Sequence, residues 1–419
     1  MHHRLFHRLI PIHRNPSAYL AAASSSNSTS SLPNKTPFKP KTAVVLSKVT
    51  RYEFEKRIFP DFTEQQLKDH LESKRSDYDG LLERHNRHYS CVDLVERELR
   101  NNGIEAKVVQ RFDLDNDLIG WADVIFTAGG DGTFLLAADK VRGQDKPVIG
   151  LNTDPNRSAG CLCLPKDKYS AGQFDAAIKR LLDGDFRWLK RQRIRITISG
   201  HSEKLFPTEL KEEQLLYHEH RFLEHMNEKL ECSKPIDSDE NGNIEVLPIV
   251  ALNEVFIGEA HSSRVSYYEM KVDDEPHMKE KSSGITICTG TGSTSWHCHI
   301  NQLSTDAVES ILSISNSLSS CKVPVEDTAL IREVTKKFNE SLVFDPSEPR
   351  MAYTIRDPIR NDVFSVPCVK GVAKRIQIRS RMWDAHLVID GGFSYKFNDG
   401  AIATLEIHDE DALKSVEFD

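Results

Sequence analysis

No run of the chain approaches the roughly 18 consecutive apolar residues that a membrane-crossing helix needs, so no membrane insertion is expected. Cysteine is scarce. Eight residues spread thinly over 419 make no disulfide framework and point to a reduced compartment. No internal repeat is visible. Net positive charge is missing too: a formal −8 argues against a general nucleic-acid binder, which carries a basic face. The sharpest absence is local. Residues 1–52 hold eight Lys or Arg and no Asp or Glu, where 63 acids in 419 residues would put about eight.

That acid-free segment is also rich in Ser and His, and Arg4 to Ile10 can form a basic amphipathic turn or two. Such a composition fits a mitochondrial transit peptide, and a basic tail with no address is the alternative. Setting its eight bases aside leaves 47 of 55 against all 63 acids, a net of −16. The rest of the chain is long enough for two or three domains.

From residue 41 the pattern alternates between short apolar strands and helical spacing. Strands are expected at Lys41–Leu46, Ile104–Val109, Asp123–Ala128 and Pro147–Leu151. Helices are expected at Cys91–Arg100, from about Phe134 to Val141, and at Gln173–Leu182. This alternation predicts a parallel α/β sheet. After Phe186 the texture turns to strand periodicity, first in Ile194, Ile196 and Ile198. Further strands are expected at Val246–Ile257, Val265–Val272, Ile285–Cys288, Met351–Ile355, Arg375–Ile378, Ala385–Ile389 and Ser394–Phe397. The predicted organisation is a transit segment at 1–40, an α/β domain at 41–190 and a β-rich domain at 191–419. Polar insertions interrupt the latter near 204–243 and 301–348.

Three motifs carry chemistry. Gly129-Gly130-Asp131-Gly132-Thr133 lies where an apolar strand ends and a helix begins. Glycines let a backbone approach phosphate, and a helix N-terminus offers unpaired N–H groups. An Asp there either accepts a proton from an attacking hydroxyl or holds Mg²⁺; the plainer reading makes it a helix N-cap. Asn253-Glu254 is the second motif, an adjacent polar pair inside a β stretch. The third, Cys288-Thr289-Gly290-Thr291-Gly292-Ser293-Thr294-Ser295-Trp296, is a loop dense in small donors and acceptors that suits a polar nucleotide.

The glycine pentapeptide resembles that of a superfamily containing NAD kinases, diacylglycerol and sphingosine kinases, and phosphofructokinases. Its continuation, Phe134-Leu135-Leu136-Ala137-Ala138, is similar to the NAD kinase pattern, and the order and spacing of the other two motifs match that family. The loop Asn152–Pro165, the run Arg187–Arg195, Val388–Gly392 and Phe397–Ala401 resemble its mitochondrial branch. The resemblance covers roughly residues 42–413. It implies a Rossmann-like α/β domain followed by a β-rich one, of the NAD kinase/diacylglycerol kinase type. The implied reaction moves the ATP γ-phosphoryl group to the 2′-hydroxyl of the adenosine ribose of NAD. Asp131 becomes the base, and Gly129, Gly130, Gly132 and Thr133 hold phosphates. Asn253 reads adenine, Glu254 binds ribose hydroxyls, and Thr289, Thr291 and Ser293 line the pocket. Mg²⁺ comes with ATP, possibly near Asp131, and no protein ligand to it is assigned. A homodimer and the mitochondrial matrix are implied as well. A lipid kinase and a silent nucleotide-binding regulator are the other readings. One departure stands out: Ser283-Gly284 occupies the place of the family's Asp-Gly.

Other clusters carry less. His218, His220 and His225 lack zinc-site spacing, and Cys161 and Cys163 are one residue apart without partners. In a strand, Cys298 would face away from His297 and His299. Asp237–Asn241 is an incomplete calcium-like loop. Arg191, Arg193 and Arg195 form one face of a strand, open to phosphates or simply to solvent.

Overall fold

The computed structural model describes residues 38–418 except 170–172, 202–204, 211–243, 321 and 361–367. Most of the transit-like segment, the three His of the first insertion and its calcium-like loop therefore lie outside the described residues. The described chain forms two compact units: one contains Asn301–Phe344, the other Leu32–Ile300 with Asp345–Asp419.

Four parallel strands open the larger unit: β1 (Thr42–Ser47), β2 (Glu105–Val109), β3 (Val124–Gly129) and β4 (Val148–Asn152), in the order β2-β1-β3-β4. Alternate residues of each strand face opposite sides, so a sheet covered on both sides needs continuous apolar runs. On one side Val45, Phe126 and Ile149 pack against Val92, Val95 and Leu99, and against Phe174 and Ile178. On the other, Val44, Leu46 and Ile125 meet Phe134, Ala137 and Ala138.

Four helices lie between β1 and β3. They are α1 (Arg51–Ile58), α2 (Glu64–Ser73), α3 (Tyr78–Asn101) and α4 (Asn116–Trp121), and α5 (Asp131–Lys140) follows β3. Thr50 and Thr63 each build a capping box, and Asp77 caps α3. The last of these begins thirteen residues before the expected Cys91, because its first half presents mostly polar residues to solvent. After β4 come α6 (Lys166–Tyr169) and α7 (Phe174–Leu182). Because β1 lies between β2 and β3, the strand order reverses there, and the switch point, where such sheets place a ligand crevice, falls at the carboxyl ends of β1 and β3.

The later strands make two antiparallel sheets. One runs β11 (Met278–Ser282), β10 (Ser266–Val272), β15 (Arg375–Ser380), β18 (Ile402–Ile407), β6 (Ile194–Ser199), β8 (Glu245–Val246). The other runs β14 (Lys370–Ala373), β13 (Met351–Ile355), β12 (Ile285–Cys288), β9 (Glu254–Glu259), β16 (Ala385–Ile389), β17 (Phe393–Lys396), β7 (Thr208–Glu209). Their inner faces share one core: Ile194, Ile196, Ile198, Met270 and Ile378 from the first sheet join Val255, Ile257, Ile287, Tyr353 and Leu387 from the second. The expected continuous strand Val246–Ile257 is broken, with Leu247–Asn253 outside any strand. The run His297–His299 lies in a helix, α8 (Trp296–Asn301), rather than in a strand, so the alternation argued for Cys298 does not apply.

A further pair, β5 (Arg187–Arg191) with β19 (Leu413–Glu417), brings the end of the described chain back to the parallel sheet. Leu413 enters the core beside α5, and Val416 and Phe418 enter the opposite one. The smaller unit pairs α9 (Thr305–Leu318) with α10 (Thr328–Glu340), where the Asn339 side chain accepts from Leu303 N–H (2.9 Å) and donates to its carbonyl (3.0 Å).

Arg193 ties α5 to the β-rich region. It is 1% exposed, and its Nη1 donates to the carbonyls of Ala138 (3.1 Å) and Val141 (2.8 Å). Its Nε donates to the carbonyl of Asp411. Helix C-termini leave carbonyls unpaired and favour a cation. Arg193→Ala strands those carbonyls in the interior and is expected to lower stability by about 2–4 kcal/mol, read from urea unfolding.

Candidate functional site

The glycine turn sits at the crevice. Gly129 ends β3 and Gly130 is the N-cap of α5, in extended backbone with no side-chain cap. The helix opens at Asp131, three residues before the expected start, because Thr133 and Phe134 N–H both bond to Gly130 carbonyl (2.9 and 3.2 Å). Asp131 is thus the first helical residue, and the N-cap role falls to Gly130. Among the described residues, the N–H groups of Asp131 and Gly132 have no backbone partner. A Cβ on Gly129 would lie 2.2 Å from Thr133 Oγ1, so only glycine lets that hydroxyl fold back under the turn. Gly132 has open space instead: nothing in the chain crowds it.

The Asp131 carboxylate is held by the loop after β4. Cys161 N–H donates to Oδ2 (3.1 Å) and Leu162 N–H to Oδ1 (2.8 Å). That loop is itself fixed. Asn152 Oδ1 accepts from Asp154 N–H (3.0 Å), Asn152 Nδ2 donates to Ser158 carbonyl (3.2 Å), and Thr153 N–H donates to Gly129 carbonyl (3.1 Å). Beneath it, the fully buried His88 of α3 bridges Ser47 Oγ (Nε2, 2.8 Å) and Thr153 Oγ1 (Nδ1, 3.0 Å). Burial, and next the Lys48 charge, pull this imidazole down to about 4, so it is neutral at ordinary pH.

Asn253 and Glu254 lie where β9 begins. Asp390, at φ +49° in the turn between β16 and β17, accepts from Leu252 N–H on Oδ2 (2.7 Å). Its Oδ1 accepts from the N–H groups of Asn253 (2.8 Å) and Glu254 (2.9 Å). Asn253 Oδ1 and Glu254 Oε2 are buried without hydrogen-bond partners. Burial pushes the Glu254 carboxyl up to about 7. The Asp390 charge adds to the rise and a hydrogen bond from Ser295 opposes it.

The hydroxyl loop folds onto this pair. Thr289 Oγ1 donates to Leu252 carbonyl (2.5 Å) and accepts from Gly292 N–H (3.1 Å), and Ser293 Oγ donates to Gly290 carbonyl (2.6 Å). A Cβ on Gly292 would stand 2.0 Å from Asn253 carbonyl oxygen, which explains the glycine there. Thr289 and Ser293 thus hold the loop's shape, and Thr291, 2% exposed, meets a different partner. That partner is Arg191: its Nη1 reaches Thr291 Oγ1 (3.5 Å) and its guanidinium lies 5.8 Å from the Phe134 ring centroid. Leu252 packs into the same core as Phe134. The three motifs therefore converge through Arg191 and Leu252.

The arginines depart from a single solvent-facing row. Arg191 ends β5, Arg193 is buried in the link before β6, and only Arg195 makes partly exposed ion pairs, to Asp411 (2.6 Å) and Glu410 (3.0 Å). Ser283 lies in the β11–β12 turn, its N–H bonded to Arg356 carbonyl (2.9 Å). The Arg356 guanidinium covers Trp296 at 4.9 Å, so a cation and an indole stand beside the position of the missing Asp. Asp390, His88 and Arg191 were not picked out as site residues from sequence. Asp390 had a local signal in its Asp-Gly-Gly turn, and Arg191 in the arginine row that could meet phosphates or acidic partners; His88 had none. No three His, Cys, Asp or Glu side chains gather to hold a metal among the described residues. Asp131 is the carboxylate that stands at the turn.

No model of a known protein family matches the chain. Individual relatives do. The protein named NAD kinase 2, mitochondrial, of Homo sapiens is 46% identical over 382 residues, which is 90% of this chain and 84% of that one. Its namesake in Rattus norvegicus is 45% identical over 385 residues, 90% and 88% of the two chains. That of Xenopus tropicalis is 44% identical over 400 residues, 91% and 92%. The solved structure of an NAD kinase from Archaeoglobus fulgidus in complex with ATP matches 90% of this chain and 93% of that one. Its TM-score of 0.48 at 15% identity is too low to bear on the site.

The raised Glu254 carboxyl has a consequence for stability. The folded chain holds this proton more tightly than an unfolded one, so the contribution is complete below about pH 4.5. It is lost as pH rises through about 7, at up to about 1.4 kcal/mol per unit. Glu254→Gln, neutral throughout, should lack this slope. Urea unfolding of both forms from about pH 4.5 to about pH 8 reads the difference.

Proposed function

The chain belongs to the NAD kinase family, and from that premise we propose that it transfers the γ-phosphoryl group of ATP to the 2′-hydroxyl of the adenosine ribose of NAD, giving NADP and ADP. The observation that carries the site assignment is the carboxylate of Asp131, held by two backbone N–H groups at the first turn of α5, on a helix whose Phe134 packs with Leu252 beside the Asn253–Glu254 pair and lies under Arg191, which bonds Thr291 of the hydroxyl loop.

A ribose hydroxyl is a poor acid, so Asp131 accepts its proton as the new oxygen–phosphorus bond forms and the bond to the β–γ bridging oxygen breaks. The loop donors fix the carboxylate's direction while leaving each oxygen a further lone pair for the incoming proton. Gly129, Gly130, Gly132 and Thr133 shape the phosphate cradle, with the N–H groups of Asp131 and Gly132 turned to the anion. Asn253 Oδ1 and Glu254 Oε2 are buried acceptors that adenine and ribose donors satisfy; each orphaned acceptor costs about 1–3 kcal/mol until then. Thr289 and Ser293 hold the loop, and Thr291, which accepts from Arg191, keeps its own O–H to donate. Mg²⁺ bound to ATP neutralises phosphate charge. No observation favours a lipid acceptor or a silent binder. The chain works as a homodimer in the mitochondrial matrix, a reading that rests on the family and on the acid-free first 52 residues.

Purified protein lacking residues 1–40 should convert NAD, ATP and Mg²⁺ to NADP, followed with an NADP-dependent dehydrogenase. Asp131→Asn should lose at least about 100-fold in turnover while NAD still binds. Near-normal turnover removes Asp131 as the base. Residues 1–52 fused to a fluorescent reporter should carry it into mitochondria, and a diffuse cytosolic signal overturns the address.

A further inference from the structure

Arg191 is 8% exposed, and its Nε has no hydrogen-bond partner. The bond from its Nη1 to Thr291 Oγ1 is long at 3.5 Å. Four acidic or thiol groups face it: Asp131 at the start of α5, Glu417 on β19, and Cys161 and Cys163 on the loop that holds Asp131. None forms an ion pair with it among the described residues. Asp131 is taken up by the N–H groups of Cys161 and Leu162, and Glu417 pairs with Arg187 at 3.2 Å. Burial pulls the guanidinium below its usual value. A buried cation with no ion-pair contact is a costly arrangement for a fold to keep. It is kept beside a helix N-terminus with two unbonded N–H groups and a glycine opening onto free space.

We propose that Arg191 is an anion-binding residue of the site, whose guanidinium takes the terminal phosphate oxygens of the nucleotide bound at the glycine turn. The proposal rests on the kinase reading for the identity of the nucleotide, but not for the presence of an anion site. Arg191 reaches the site from the β-rich side, through Thr291 and across the Phe134 ring. Its planar donors suit the phosphoryl oxygens, on which charge is spread during transfer. Because Thr291 shares the same guanidinium, phosphate binding at the turn and the shape of the hydroxyl loop are coupled through one side chain.

The test compares the wild-type chain with Arg191→Met and Arg191→Lys. Thermal unfolding is recorded without ligand, with inorganic tripolyphosphate and with ATP. Arg191→Met should melt at or above the wild-type temperature without ligand, since it removes an uncompensated charge, and should lose the upward shift that tripolyphosphate gives the wild type. Arg191→Lys should keep part of that shift. In NADP formation, kcat/KM for ATP should fall by at least about 100-fold in Arg191→Met, with NAD affinity changed far less. The proposal is overturned if Arg191→Met melts well below wild type yet shifts normally with tripolyphosphate, or keeps its kcat/KM for ATP. If Arg191→Met does not fold, an undiminished tripolyphosphate shift and kcat/KM in Arg191→Lys overturn it instead. If the wild type makes no NADP, the kinase reading fails while the tripolyphosphate shifts still decide the role of Arg191.

Discussion

A buried helix end must find partners for its last carbonyls, and in this chain they come from the side chain of Arg193. The residue stands between the two architectures, where the parallel sheet has ended and the antiparallel sheets begin. Its guanidinium binds Ala138 and Val141 carbonyls from one side and Asp411 carbonyl from the other. Burial is severe enough to pull the group down to about 10, yet it remains a cation at any physiological pH. The helix that begins with Asp131 is thereby fixed along its axis, and its N-terminus at the glycine turn is placed by what happens at the opposite end.

A second device recurs. Asp131 and Asp390 each use a carboxylate to gather backbone N–H groups from a neighbouring loop, two in one case and three in the other. Carboxylate–amide bonds are stronger than neutral ones and fix both partners. One aspartate thus orders the loop after β4 around itself. The other orders the strand entrance that holds Asn253 and Glu254. The neutral His88, between Ser47 and Thr153, does comparable work across the ends of β1 and β4. Around the motifs, Asn253 Oδ1 and Glu254 Oε2 stay unpartnered, while Asp131, Asp390, Asn152 and Thr289 are occupied with holding backbone.

What could be read from sequence follows from what periodicity encodes. Ile194, Ile196 and Ile198 announce β6 because every second residue is apolar and buried. The glycine pentapeptide announces a turn because at Gly129 no other residue tolerates the close approach of Thr133. By contrast, β11 reads Met-Lys-Glu-Lys-Ser, and beside the partly buried Met278 the side chains it turns inward are Glu280 and Ser282, so hydrophobicity says little there. His297 is buried in a helical turn that looked like an alternating strand, because six residues are too short to separate the two periods. Arg191 and Arg193 were indistinguishable from a solvated face. A buried arginine is legible only once the carbonyls, rings and hydroxyls around it are known. Among the motif residues, the hydroxyls of Thr289 and Ser293 turn out to be engaged with backbone, the first with the Leu252 carbonyl and the second with that of Gly290, a role that composition cannot separate from lining a pocket.

The pairing of β19 with β5 also sets an order of events at the ribosome. Leu413, Val416 and Phe418 complete the two cores that flank the parallel sheet, whose first strand starts at Thr42. Translation delivers those residues some 370 positions after β1. Until they emerge, the N-terminal half of the nascent polypeptide carries unfinished apolar surface, exposed for roughly 20–70 s at ordinary elongation rates. Holding factors would have that interval to engage it, and a chain released early would lack the strand that closes its own beginning.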